Sequence, residues 1–154
     1  MRTLLAAVLV LIMGCATNIY SSGYEMIQGI MITPPLLDKH SERITFYLRD
    51  YSGKTIVAIA ENKDNFKLLK NLAHNIGFNQ KPVYLFALQA GSEWREYVDS
   101  VDYEVYGVGY YDSYADRYVT VITTYGSKFT DVLRSTDWKS FITNVGKQAI
   151  KAVI

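Results

Sequence analysis

Between Arg43 and Gly77 the spacing of the apolar residues changes once, from two to three and four, and that change restricts the fold to one that mixes strands and helices. Ile44, Phe46 and Leu48 alternate with Thr45, Tyr47 and Arg49, the period of a strand with one buried face. Asp50 to Lys54 holds a Ser-Gly turn, and Thr55 to Ala60 is rich in β-branched residues, so 44–60 is expected to be a hairpin. Phe66, Leu69, Leu72, Ala73 and Ile76 then recur at helical spacing, with Asp64 or Asn65 as a cap and Gly77 as a terminator.

The same reading continues to the C-terminus. Lys81 to Leu88 is a strand, with Val83, Leu85 and Ala87 on one face and Tyr84 and Phe86 on the other. Trp94, Tyr97, Val98 and Val101 predict a short helix after Ser92. Tyr103 to Tyr111 and Arg117 to Tyr125 form a second hairpin about a turn at Asp112 to Asp116. Trp138, Phe141, Ile142, Val145, Ala149 and Val153 mark a closing helix after Ser135 or Thr136. The expected class is α+β, a mostly antiparallel sheet of about five strands with two or three helices packed on one side.

Ahead of this lies a short export signal. Arg2 supplies a positive start, and Thr3 to Met13 is an apolar run too short for a bilayer, which needs about 20 residues of helix. The run closes on Leu11-Ile12-Met13-Gly14-Cys15, which resembles the lipobox of bacterial lipoproteins. The resemblance implies cleavage between Gly14 and Cys15, removal of residues 1–14 and a diacylglycerol thioether on Cys15. It also implies sorting to the outer membrane, because Ala16 stands where Asp would retain the protein at the inner one. Cys15 is the only cysteine, so no disulfide can form within the chain. Ala16 to Gly29 is polar and dotted with glycine, so residues 15–33 are expected to be a lipidated, flexible tether. Pro34-Pro35 then opens a single domain, 34–154.

The charge balance narrows the partners. Lys and Arg number 16 and Asp and Glu 15, and loss of Arg2 makes the two equal. A neutral chain lacks the basic face that phosphate neutralisation requires, so no nucleic-acid role is expected. Tyrosine is over-represented, with 13 residues, and seven of them lie between Tyr103 and Tyr125. Tyr106, Tyr110, Tyr111, Tyr114 and Tyr118 form either a half-exposed sheet surface or an aromatic binding patch around the hairpin tip, with Tyr103 and Tyr125 serving packing.

Candidate chemistry is sparse. His40 and His74 are isolated, with no metal-ligand spacing, and no nucleophile elbow is present. Gly107-Val108-Gly109 lacks the third glycine and following helix of a dinucleotide site and reads as a bulge or a close backbone approach. Glu93, Glu96, Asp99 and Asp102, three apart, are expected on a solvated helix face. No catalytic set and no cofactor are therefore expected.

The run Ser41-Glu42-Arg43-Ile44-Thr45-Phe46-Tyr47-Leu48-Arg49 resembles the opening of plasmid-encoded surface-exclusion and serum-resistance lipoproteins. The tyrosine hairpin replaces the glycine- and alanine-rich middle of that family, so only an envelope-surface setting is implied. Taken together, these features favour a lipid-anchored accessory that binds a protein of an envelope machine such as a secretion, pilus or conjugation apparatus. A surface lipoprotein that excludes phage, mating partners or host factors is the second reading. A periplasmic enzyme is the third.

Overall fold

A computed structural model describes residues 23–91 and 101–153. Its strands are β1 (Glu25–Met31), β2 (Leu36–Asp38), β3 (Arg43–Arg49), β4 (Thr55–Glu61), β5 (Val83–Gln89), β6 (Tyr103–Asp112) and β7 (Arg117–Ile122). Its helices are α1 (Phe66–Ile76), α2 (Gly126–Arg134) and α3 (Thr136–Val153).

The sheet does not stay open. Its order is β1-β5-β6-β4-β3-β2, and β1 also pairs with β3, so five strands close into a barrel. β2 adds to the outside of β3 and β7 to β6. All pairings are antiparallel except β4 with β6, which meet at Ala58↔Tyr103 and Ile59↔Glu104. Strands β1, β3 and β4 follow one another, and β5 returns beside β1, which is a Greek key. A five-stranded Greek-key barrel is the general architecture of the OB-fold, and architecture alone carries no function.

The class and the antiparallel majority match the sequence reading, but the arrangement of the helices does not. α1 closes one end of the barrel, putting Leu69, Leu72, Ala73 and Ile76 into a core with Ile44, Phe46, Leu48, Val83, Leu85 and Val108. α2 and α3 lie instead on the outer face of β5, β6 and β7, where Val132, Trp138, Phe141 and Val145 bury Tyr84, Phe86 and Tyr106. β5 is therefore covered on both faces, as its unbroken run of apolar residues requires.

The tether is also shorter than expected. Residues 25–31 are barrel strand β1, paired with β5 from Glu25↔Ala87 to Gly29↔Val83, so the folded part begins before Pro34. Both faces of β1 meet core, Ile27 the barrel interior and Met26 the α2–α3 layer, so no alternation marks it in the sequence. Gly29 makes the closure possible, since a Cβ there would stand 2.9 Å from both Arg49 O and Leu48 Cβ. The expected helix from Ser92 falls on residues 92–100, outside the described residues. α2 was not expected, and its buried side is confined to Val132.

Gly107 and Gly109 behave as the sequence suggests. The β5–β6 register slips between Phe86↔Gly107 and Ala87↔Val105, leaving Tyr106 as an extra residue and turning both Tyr106 and Gly107 outward. A Cβ on Gly107 would lie 2.4 Å from Trp138 Cζ3, and one on Gly109 would lie 2.9 Å from Val145 Cγ2. The two glycines thus form the track on which α3 rests.

Candidate functional site

The five tyrosines singled out above do not form one patch. Tyr106 faces outward beneath α2 and α3, with Lys128 Nζ donating to its hydroxyl at 3.2 Å. Tyr110 faces the barrel interior, and both rings are only 3% exposed. Tyr118 packs edge-on against Tyr84 and Tyr111, and its hydroxyl donates to Pro82 O at 2.9 Å. Tyr111 lies under Lys81 Nζ and donates to the Asp116 carboxylate. Only Tyr114, at the hairpin tip, is largely free, 77% exposed. Alternation of side chains along β6 separates Tyr110 from Tyr111, and the bulge sends Tyr106 to the helix-covered face.

Burial raises the phenols of Tyr84, Tyr106, Tyr110 and Tyr118 above the ordinary tyrosine range. The fold favours the neutral form, so this stabilisation is complete below the unfolded value near ~10 and is lost as pH rises from there through the higher folded values. In an alkaline absorbance titration, a late phenolate phase should coincide with loss of the near-ultraviolet circular dichroism. If all 13 tyrosines ionise in one phase while the fold persists, these burial assignments are wrong.

A concave surface lies between α1 and the β7–α2 corner. Asn65 caps α1 by accepting from Leu68 N at 3.3 Å, which fixes the helix start beside the end of β4. Asn62 joins the three elements. Its Nδ2 donates to Thr123 O at 3.0 Å, and its Oδ1 accepts from Asn65 N at 2.8 Å. Two cavities adjoin there, sharing Asn65 and Leu68 in their walls. The first, of about 340 Å³, runs along α1 past Asn71 and Asn75 to Tyr110 and Val121. The second, of about 430 Å³, is walled by Thr124, Tyr125 and Phe129. Asn75 stands beside Tyr110 in the wall, and its amide partly opposes the effect of burial on that phenol.

This groove combines apolar walls with neutral amides. Lys67 is the one charged side chain among the residues that line it. Tyr125 and Phe129 remain 54% and 40% exposed, so Tyr125 is not the packing residue that its distance from the hairpin turn suggested. Thr124 Oγ1 is buried with no hydrogen-bond partner among the described residues, a polar atom left for something else to satisfy. Beyond Asn75, Tyr114 stacks over His74 at 6.3 Å between ring centroids, so the hairpin tip rests on the last turn of α1. The signal missed in the sequence was the set of asparagines Asn62, Asn65, Asn71 and Asn75, which resemble ordinary polar helix positions.

Other polar sites are used structurally. Asp102 is not on a solvated face: its Oδ2 accepts from Val57 N at 2.9 Å, and its N–H donates to Val57 O at 2.8 Å. Asp50, across the mouth of the barrel, accepts from Ser52 Oγ at 2.7 Å and from the N–H groups of Ser52 and Lys54, and these bonds hold its carboxyl below the usual range. Glu93, Glu96 and Asp99 lie outside the described residues. His40 is exposed, its N–H donating to Asp38 Oδ1. No group of three or more His, Cys, Asp or Glu side chains able to hold a metal occurs among the described residues. Comparison with protein-family models, with curated proteins and with solved structures gives no match.

Replacing Asn62 by Ala should cost about 1–3 kcal/mol, because it strands the Thr123 carbonyl and the Asn65 N–H near the groove floor. Chemical denaturation measures this. Asn71, exposed on α1, should cost less than about 0.5 kcal/mol when changed in the same way.

Proposed function

We propose that this protein is a lipid-anchored envelope lipoprotein, held to the membrane through Cys15, that acts as a non-catalytic binding accessory through the groove between α1 and α2. The observation that carries the binding assignment is the groove itself, with exposed Tyr125 and Phe129 beside a row of asparagines and an unpartnered hydroxyl. Amides and apolar walls recognise and orient a ligand. They offer no nucleophile, general base or orienting partner for bond-making. The neutral charge and the Gly14-Cys15 site fit an envelope protein as the partner, in an assembly such as a secretion, pilus or conjugation apparatus. Exclusion of phage, mating partners or host factors is the competing outcome, and exposed Tyr114, at the hairpin tip over His74 of α1, would serve it by the same surface.

Cys15→Ala should abolish incorporation of labelled palmitate and release the protein from the membrane fraction. A lipid chain contributes about 0.8 kcal/mol per buried methylene, and no described helix is long and apolar enough to cross a bilayer. Equal membrane retention of the alanine variant would contradict the anchor. Phe129→Ser, which changes an exposed wall residue, should leave the melt unchanged and weaken partner capture from detergent-solubilised envelopes by about 2 kcal/mol.

A further inference from the structure

We propose that the groove takes its partner as an added β-strand, an extended and uncharged segment of another polypeptide laid along the free edge of β7. This rests on the reading of the groove as the binding site. β7 is bonded to β6 on one side, and among the described residues no strand pairs with its other side. That edge borders the groove, with Val121 in the wall and Val119 and Val121 packed towards the barrel core. A strand edge presents alternate N–H and C=O groups at a fixed repeat, a pattern that another extended backbone matches.

The opposite wall suits the same occupant. Asn71 and Asn75 stand one helical turn apart on α1, each with an amide that can donate and accept, as a peptide bond requires. With Lys67 the one charged lining group, the groove selects a segment that is neutral or carries a single acid at the Lys67 end. Tyr125 and Phe129 would receive apolar side chains, and the buried Thr124 hydroxyl would gain a main-chain partner. The six residues of β7 set the length of the added strand. The other outer strand, β2, has only three residues, too short to hold one.

The test uses the lipidated protein in detergent micelles and fluorescein-labelled hexapeptides selected on it from a random library. Binding is read by fluorescence anisotropy and by amide hydrogen exchange. Alternate β7 amides should become protected, and a single N-methyl group on a peptide residue whose N–H faces β7 should weaken binding by about tenfold or more, the loss of one main-chain hydrogen bond left unmade. Peptides N-methylated at an intervening residue and the Lys70→Ala protein should bind normally, whereas Asn71→Ala should weaken every peptide. Peptides that bind as helices, peptides that protect another surface, failure to select any binder, or a dimer formed through β7 without peptide would each overturn strand addition. If those results stand while Phe129→Ser still abolishes capture, the groove remains the binding site and only the strand mode fails. If Phe129→Ser is silent as well, the groove assignment falls with it.

Discussion

Leu72→Ala and Phe141→Ala should each lower the unfolding free energy by about 2–5 kcal/mol, the cost of removing a large apolar side chain from a packed site. The two residues probe separate cores. Leu72 lies on the face of α1 that closes the barrel, and Phe141 lies on α3 against Phe86 and Trp138, with ring centroids at 5.3 and 5.2 Å. Because the barrel sheet stands between them, the two losses should add, within about 0.5 kcal/mol, in the double variant. Lys70→Ala and Lys139→Ala, on the exposed sides of the same helices, should change stability by less than about 0.5 kcal/mol. Urea denaturation supplies all five values. An unchanged midpoint for Leu72→Ala would contradict the seating of α1 in the barrel end, and a strongly non-additive double variant would contradict the separation of the two cores.

Gly29→Val should be at least as damaging, at about 3 kcal/mol or more, the upper end of overpacking costs. The side chain it introduces would meet the Arg49 carbonyl and Leu48 Cβ, each 2.9 Å from the first added carbon, and a main-chain oxygen of a paired strand cannot turn aside as a side chain can. The collision falls on the seam that closes the barrel, Ile30↔Arg49 and Met31↔Leu48. Were residues 25–31 a tether, the same change would be nearly silent. Hydrogen exchange should show β1 and the last residues of β3 losing protection before β4 does. A Gly29→Val protein with the native denaturation midpoint would remove β1 from the barrel.

Which parts of this architecture can be read from the residues depends on how many faces each element buries. β3 and α1 each bury one face or one stripe, so Ile44, Phe46 and Leu48, and Leu69, Leu72 and Ile76, announce them directly. β1 meets core on both sides and contains Gly29, so its pattern resembles a linker. Barrel closure is a long-range event, two residue pairs between β1 and β3, and neither strand carries a local mark of it. The glycines of β6 are a partial exception. Their placement among tyrosines signals a close approach, but not that Trp138 and Val145 make it.

The candidate site was less legible for a related reason. Tyrosines attract notice as binding residues, yet the alternation and bulge of β6 commit Tyr106 and Tyr110 to two opposite cores. The groove is instead assembled from asparagines at a helix start and along α1, a threonine just after β7, and aromatic residues at the entrance to α2 and on its first turns. Residues 62 and 124 meet only because Asn62 reaches Thr123 O across the fold.

The binding role of the groove is tested most directly by photo-crosslinking in intact cells, with a benzophenone side chain replacing Phe129 in one variant and Tyr51 in another. Both positions are exposed, Phe129 in the groove wall and Tyr51 at the β3–β4 turn, so the comparison controls for accessibility. A discrete adduct with one envelope protein at position 129, and none at position 51, is the predicted result for palmitate-labelled, membrane-bound protein. Absence of any adduct at 129, or the same adduct from both positions, would contradict the assignment.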